Sequence, residues 1–148
     1  MLAKKQTLSP LEAAQLNPVA LAFLGDAVYS LYVREKLLTT QGAQKTSLLQ
    51  KAASVIVSAS GQSSALESIL NVFTEQEMDV FRRGKNAKKA TKSKSASSAE
   101  YNRSTGFEAV LGYLYLTGQD ERISLLLDML PEENFNVEEG AKPFKPKG

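Results

Sequence analysis

Residues 17–38 of the chain, NPVALAFLGDAVYSLYVREKLL, predict one long helix at the centre of the fold. Asn17 is a favourable N-cap, and Pro18 suits the first helical position, where its missing N–H costs nothing. About five turns follow before Thr39 and Gly42, where the helical pattern ends. Apolar side chains cover more than one face of this helix, which is typical of a helix buried inside a bundle.

One charged side chain, Asp26, lies in the middle of this apolar stretch, next to Gly25. A carboxylate in apolar surroundings costs free energy unless it is paired, hydrogen-bonded or bound to a metal. A neighbouring glycine lets another backbone or a ligand come close. Asp26 is therefore the first candidate for a chemical role, although a structural ion pair or hydrogen bond is the commoner use of such a residue.

The composition restricts the chemistry that this chain can perform. It has 148 residues, enough for one domain with its own core, and it contains neither cysteine nor histidine. Disulfides, thiolate sites and imidazole bases are excluded, and a serine nucleophile would lack its usual partnering base. Catalysis would therefore use carboxylates, lysines, hydroxyls or a hard cation such as Mg²⁺ bound by oxygen atoms.

The remaining apolar periodicity predicts an all-α bundle of about seven helices and no strand. Capping-box spacings at Ser9 with Glu12 and at Thr74 with Glu77 mark two helix starts, and Gly118 is placed to end a helix. We expect the helical domain over residues 1–131 and a flexible tail over residues 132–148.

No membrane association is predicted from the sequence. MLAKKQTLSP at the start lacks the apolar core of a signal peptide, and no run of about 18 apolar residues could span a bilayer. We expect a cytoplasmic protein.

The net charge of +2 is unevenly distributed along the chain. Residues 82–103 carry eight basic side chains against Glu100, a local charge of +7 that leaves −5 for the remainder. Residues 86–100 contain no large apolar side chain and predict a mobile basic loop. A segment of this kind suits a polyanion, although a solvated loop is its commoner role. The candidate phosphate-binding residues are Arg82, Arg83, Lys85, Asn86, Lys88, Lys89 and Arg103.

A second lone carboxylate, Glu108, lies in the helix predicted over residues 101–116. If that helix packs against the central one, Asp26 and Glu108 could share one Mg²⁺ or bind two about 4 Å apart. Metal-bound water and charge compensation on the phosphate would then allow phosphodiester hydrolysis without histidine.

Two stretches resemble the ribonuclease III catalytic domain. LAFLGDAVYS at residues 21–30 is similar to that family's signature, and RSTGFEAVLGYLYL at residues 103–116 is similar to its second acidic helix. FRRGKNAK at residues 81–88 resembles the turn between them. The resemblance covers about residues 16–130. It implies a Mg²⁺-dependent endoribonuclease that cuts double-stranded RNA as a homodimer, with Asp26 and Glu108 as catalytic residues and metal ligands.

The closer resemblance is to the Mini-III (Mini-ribonuclease 3) branch, which lacks a double-stranded-RNA-binding domain. VSASGQ at residues 57–62 and YNRSTGFEA at residues 101–109 carry it. It implies maturation of precursor 23S ribosomal RNA, with a ribosomal protein as a candidate helper. Val19, Ala22 and Thr105 stand where the full-length enzymes carry acids, so a full metal cage is not implied. A non-catalytic ribosomal-RNA-binding protein of the same fold is the first alternative, and a plain helical interaction protein is the second.

Aromatic side chains are available for a self-complementary interface in the homodimer that the resemblance implies. The central helix is apolar nearly all round, so its side chains could cover both an internal core and a second copy of the chain. The surplus side chains are Phe23, Tyr29, Tyr32, Tyr113 and Tyr115.

Overall fold

A computed structural model describes residues 6–89 and 97–137, which form seven α-helices and two 3-10 helices with no strand. The α-helices are α1 (Pro10–Ala14), α2 (Pro18–Gln41), α3 (Thr46–Ile56), α4 (Ala59–Leu66), α5 (Glu75–Asn86), α6 (Ser98–Leu116) and α7 (Asp120–Leu127). The 3-10 helices are Leu70–Val72 and Glu132–Phe135. The predicted all-α fold class is confirmed. None of these helices is long and apolar enough to cross a membrane.

The predicted helix starts agree with the structure because their caps are formed. The Asn17 side chain accepts a hydrogen bond from the Val19 N–H (2.7 Å), which fixes the first turn of α2. Complete capping boxes begin α1 at Ser9 and α5 at Thr74. Gly118, with a φ of +75°, follows the end of α6 as predicted.

Helices α2 and α6 form the centre of the molecule and approach each other through glycines. A Cβ atom at Gly25 of α2 would overlap the carbonyl oxygen of Glu108 on α6. A Cβ atom at Gly112 would likewise overlap the carbonyl oxygen of Leu21. The two backbones are therefore in direct contact, which a larger residue at either position would prevent.

The hydrophobic core lies between the α2–α6 pair and the other helices, which cover part of its surface. The rings of Tyr29 and Phe107 meet edge to face, with centroids 5.0 Å apart. Ile123, Leu126 and Leu127 of α7 are fully buried against this core. This close packing holds α2 and α6 in one fixed arrangement.

One face of α2 is exposed, so the helix is not buried all round as predicted. Phe23 is 83% exposed, Leu38 62% and Leu31 41%. Of the aromatic side chains considered for an interface, Tyr29 and Tyr113 are instead buried in the core. The remaining helices cover α2 on one side only, and its other apolar side faces solvent.

Two helix boundaries differ from the prediction. Helix α6 begins at Ser98, three residues earlier than predicted, because Ser97 and Glu100 form a capping box. The predicted loop over 86–100 is therefore shorter, and residues 90–96 lie outside the described part of the chain. The apolar residues between positions 65 and 73 repeat at helical spacing and predict one helix, but in the structure they lie in the end of α4 and around the 3-10 helix Leu70–Val72.

The predicted flexible tail over residues 132–148 is folded in its first part. Phe135 and Val137 are buried, and Gln41 of α2 bonds to both of their backbones. Its side-chain amide donates to the Phe135 carbonyl oxygen and accepts from the Val137 N–H. The folded domain thus extends past residue 131 to Val137, while residues 138–148 lie outside the described chain.

Candidate active site

Asp26 lies on the exposed side of α2, so it is not buried inside the helix bundle as predicted. It opens onto a surface cleft of about 310 Å³ between α2 and α6. Glu108 of α6 lines the same cleft, half-buried. The structure therefore brings together the two carboxylates that the sequence singled out, although they lie far apart in the chain.

The crossing of α2 and α6 places the two carboxylates side by side. Gly25 immediately precedes Asp26, and its Cα touches the backbone of Glu108. Both side chains consequently leave the backbone at the point of closest approach. The contact between the two helices sets the separation of the Asp26 and Glu108 carboxylates, and this separation does not depend on a flexible segment.

The two carboxylates influence each other's protonation. Burial and the adjacent Asp26 carboxyl group raise the pKa of Glu108 to about 8, while a hydrogen bond from Gln62 opposes that rise. Two carboxylates this close do not both carry charge readily unless a cation lies between them. The arrangement therefore favours a bound positive charge.

The ligand chemistry of the cleft fits Mg²⁺. This ion prefers oxygen ligands and is often held by one or two carboxylates together with water and substrate phosphates. Asp26 and Glu108 supply that number of carboxylates. Within residues 6–89 and 97–137, no cluster of three or more His, Cys, Asp or Glu side chains could form a larger metal site.

Gln62 is a site residue that sequence reasoning missed. It lies on α4 with only 2% of its surface exposed, and its Nε2 donates to Glu108 Oε2 at 2.9 Å. The same nitrogen donates to the Val57 carbonyl oxygen at 2.9 Å. The sequence offered one sign of its importance, because Gln62 is the last residue of the VSASGQ motif. The motif alone did not indicate a function for this residue.

Lys89 lines the cleft together with Asp26 and Glu108. Its Nζ donates to the Lys85 carbonyl oxygen at 2.9 Å, just past the end of α5. The sequence had grouped Lys89 with the phosphate-binding residues of the basic loop. Its position adds a positive charge to the cleft, beside the two carboxylates.

Comparison with known proteins agrees with this arrangement. The ribonuclease III domain family matches residues 19–119, which include both carboxylates. A Mini-ribonuclease 3 of Symbiobacterium thermophilum is 50% identical over 112 residues, covering 76% of this chain and 85% of the relative. One from Brevibacillus brevis is 42% identical over 124 residues, covering 84% and 89%. The chain belongs to the ribonuclease III family.

Within the ribonuclease III family, the resemblance to Mini-ribonuclease 3 is confirmed by these relatives. A protein of Fusobacterium nucleatum solved by X-ray crystallography has the same fold, with a TM-score of 0.72 and 31% identity. The match covers 78% of this chain and 93% of that protein. The chain is therefore a ribonuclease III-like endoribonuclease, and RNA is its class of substrate.

The three positions without acids also line the cleft of this ribonuclease III domain. Val19, Ala22 and Thr105 surround Asp26 and Glu108 there. Apolar and hydroxyl side chains thus occupy the space in which the resemblance to full-length enzymes would have placed further carboxylates. Within the described part of the chain, Asp26 and Glu108 are the only Asp or Glu residues that line this cleft.

The other proposed RNA-binding residues of the ribonuclease III domain do not all face the cleft. Arg82 lines a separate hollow with Phe73 and Asp79. Arg103 is held within the protein, where its Nε donates to Ser63 Oγ (2.9 Å) and its Nη2 to Glu67 (2.6 Å).

The residues around the end of α5 differ in exposure. The Nη2 atom of Arg83 lies 3.4 Å from the Leu16 carbonyl oxygen, so this guanidinium also contacts the protein. Asn86 and Lys88 are exposed, and Lys85 is half-buried. The predicted set therefore spreads over several surroundings instead of forming one uniform patch.

Proposed function

We propose that this chain is a Mg²⁺-dependent endoribonuclease that cuts double-stranded RNA and matures the ends of precursor 23S ribosomal RNA in the cytoplasm. The observation that carries the proposal is the meeting of Asp26 and Glu108 in one cleft at the α2–α6 crossing. The similarity of the chain to proteins named Mini-ribonuclease 3 supports the choice of reaction.

Asp26 and Glu108 would hold the cation with their carboxylate oxygens. When bound, Mg²⁺ lowers the pKa of a coordinated water and offsets negative charge on the phosphate undergoing attack. Lys89 adds a second positive charge at the same cleft. Val19 and Ala22 make one wall apolar, which limits competing solvation around the reacting phosphate.

Recognition of the RNA should depend on its A-form shape and backbone. The exposed basic side chains next to the cleft suit phosphates, which carry no sequence information. Lys88 and Asn86 are exposed at the end of α5 and lead toward Lys89 in the cleft. Arg103 contributes mainly through its internal contacts with α4.

The exposed face of α2 supports a homodimer as part of this proposal. Phe23 is 83% exposed and lies one helical turn from Asp26, while Leu31 and Leu38 continue the same apolar face. An exposed apolar face of this kind suits a two-fold interface with a second copy. Because Phe23 also lines the cleft, such an interface would adjoin both catalytic sites.

The decisive assay incubates purified protein with a blunt RNA duplex in Mg²⁺ and, in parallel, in EDTA. Metal-dependent cutting of both strands supports the proposed enzyme. Tight binding with the RNA left intact in Mg²⁺ would instead indicate a non-catalytic RNA-binding protein. A precursor 23S ribosomal RNA fragment, compared with an unrelated duplex of equal length, tests the proposed substrate.

We expect Asp26→Asn and Glu108→Gln each to lower the cleavage rate by about 10²-fold or more, because each removes a charged metal ligand without changing side-chain volume. The double variant should be little worse than either single variant, since two ligands of one metal act as a unit. Single-turnover rates measure this, and circular dichroism verifies folding. Independent, multiplicative losses would contradict a shared metal.

A further inference from the structure

The amide of Gln62 connects the turn between α3 and α4 to a proposed catalytic carboxylate. Its Nε2 donates to two acceptors, the Val57 carbonyl oxygen and Glu108 Oε2, each at 2.9 Å. Gln62 is 2% exposed, so solvent does not compete for these bonds. Both hydrogens of the amide nitrogen are therefore used within the protein.

The orientation of this amide follows from its neighbours. A backbone carbonyl can only accept, so the nitrogen of Gln62 must face Val57. The opposite orientation would place the amide oxygen against an acceptor at Val57 and against a carboxylate at Glu108. Gln62 is therefore a fixed donor toward Glu108.

Gln62 lies in the first turn of α4, and the turn that precedes this helix is itself held by hydrogen bonds. The Ser58 hydroxyl donates to the Val55 carbonyl oxygen (2.7 Å) and accepts from the Gly61 N–H (3.0 Å). Val57 ends α3 and Ser58 caps α4, so two helices support the position of the amide. Glu108 thus receives a donor from a rigid element outside the α2–α6 pair.

We propose that Gln62 is a positioning residue that fixes the Glu108 carboxylate beside Asp26 and so assembles the pair of ligands for the divalent cation. This inference rests on the proposed function of the cleft. Gln62 engages Oε2 of Glu108 and thereby restricts rotation of the whole carboxylate. Partners that orient a metal ligand typically change metal affinity or activity about 10- to 100-fold when they are removed.

Gln62→Met is the first test, because it removes the donor and keeps a side chain of similar length. Gln62→Asn is the second, because an amide shorter by one methylene cannot reach Val57 and Glu108 at once. The matched control is Gln41→Met. Gln41 also bridges two backbone groups, at Phe135 and Val137, but it lies about 22 Å along α2 from Asp26.

The main readout is binding of Mg²⁺ alone to the RNA-free protein, measured by isothermal titration calorimetry. We expect both Gln62 variants to bind Mg²⁺ about 10- to 100-fold more weakly, and Gln41→Met to bind it as the wild type does. In cleavage assays the Gln62 variants should lose kcat with little change in KM for RNA. Excess Mg²⁺ should restore part of the lost rate in the Gln62 variants, but it should not restore the rate of Asp26→Asn.

The inference is overturned if the folded Gln62 variants bind Mg²⁺ and cut RNA like the wild type at every Mg²⁺ concentration. In that case the amide only packs the turn, and the proposed function stands. If Gln62→Met does not fold, Gln62→Asn carries the test. A wild-type protein that neither binds Mg²⁺ nor cuts RNA would overturn the proposed function as well, so the two failures are distinguishable.

Discussion

Two glutamates show how the surroundings of a carboxylate decide its role. Glu77 is only 3% exposed, yet it accepts two hydrogen bonds from Arg122 at 2.8 Å and caps α5 through Thr74. Burial acts to raise its pKa, but these bonds outweigh burial and lower it. Glu108 is half-buried beside Asp26 instead, and burial together with that carboxyl group raises its pKa to about 8. The first is a structural ion pair and the second suits a cation.

The Glu77 ion pair predicts a pH-dependent stability. The folded state holds the pKa of Glu77 below its ordinary 4.5, so its stabilisation is present above that pH and is lost as pH falls through the lowered folded value. Glu77→Gln should lower the free energy of unfolding by about 2 kcal/mol at neutral pH. Urea denaturation should show this difference shrinking as the pH falls below 4.5.

A difference that stayed constant over this pH range would show that Glu77 acts by packing and not by charge. Glu75→Gln is the control. Glu75 is an exposed acid in the same first turn of α5, and its replacement should change stability by less than about 0.5 kcal/mol.

Lys88 and Lys89 are adjacent in sequence but should differ in function. Lys89 lines the cleft, whereas Lys88 is exposed. Lys89→Met should lower the single-turnover rate at saturating duplex about 10-fold, because a positive charge is lost beside the reacting phosphate. Lys88→Met should mainly weaken binding, equally for unrelated duplexes, and reduce the salt slope by about 0.9 if it contacts one phosphate.

These two variants serve as controls for each other, since both remove one lysine from the same segment. Binding is measured in EDTA at several salt concentrations, and rates are measured in Mg²⁺. Equal losses of affinity and no loss of rate in either variant would mean that Lys89 belongs to the general phosphate-binding surface.

At the scale of helices, the α2–α6 crossing is the element on which the site depends. Gly25→Ala would place a methyl group against the Glu108 carbonyl oxygen and force the helices apart. We expect the free energy of unfolding to fall by about 1–3 kcal/mol or more. Cleavage should fall further than stability explains, because Asp26 and Glu108 separate. Urea denaturation and single-turnover rates under conditions where the variant is folded test this.

Glu35→Ala is the control for Gly25→Ala. It also introduces alanine into α2, but at an exposed position. Its effect on stability should stay within about 0.5 kcal/mol. If Gly25→Ala were equally neutral, the backbone contact between α2 and α6 would not be essential.

The C-terminal segment shows that an element can be held by contacts far away in sequence. Phe135 packs near Tyr32, with ring centroids 6.1 Å apart, and Lys36 Nζ lies 5.0 Å from its ring centre. Lys36 also pairs with Glu132 at 3.0 Å. These contacts anchor the segment to the C-terminal half of α2, at the opposite end from Asp26.

At the scale of the whole molecule, the exposed face of α2 predicts the oligomeric state. Phe23→Asp places a charge on the proposed interface and should convert a dimer to a monomer without unfolding it, since Phe23 is 83% exposed. Sedimentation velocity over a range of protein concentrations measures this. Leu125→Asp is the control, because Leu125 is a 54% exposed apolar side chain on α7.

A Phe23→Asp protein that dimerises as tightly as the wild type would place the interface elsewhere. Dissociation by Leu125→Asp with an intact Phe23→Asp dimer would point to α7 instead. Loss of cleavage together with dimerisation in Phe23→Asp is expected as well, because Phe23 borders the catalytic cleft.

Local features of the sequence were sufficient to predict most of the helices. Asn17, Ser9 and Thr74 each satisfy backbone N–H groups within three residues, so their caps can be recognised from spacing alone. Apolar periodicity supplied the all-α class. Asp26 and Glu108 could be singled out because each is the single acid in the apolar part of its helix, and the family resemblance assigned them a common site.

The tertiary structure decided which distant residues meet and which faces remain open. Gln62 and Glu108 are 46 positions apart, and no local pattern specifies their hydrogen bond. The exposure of Asp26 and the burial of Phe135 likewise depend on which sides of α2 its neighbours cover. Spacing along the chain determines helices because their hydrogen bonds are local, whereas the cleft arises from the packing of one helix on another.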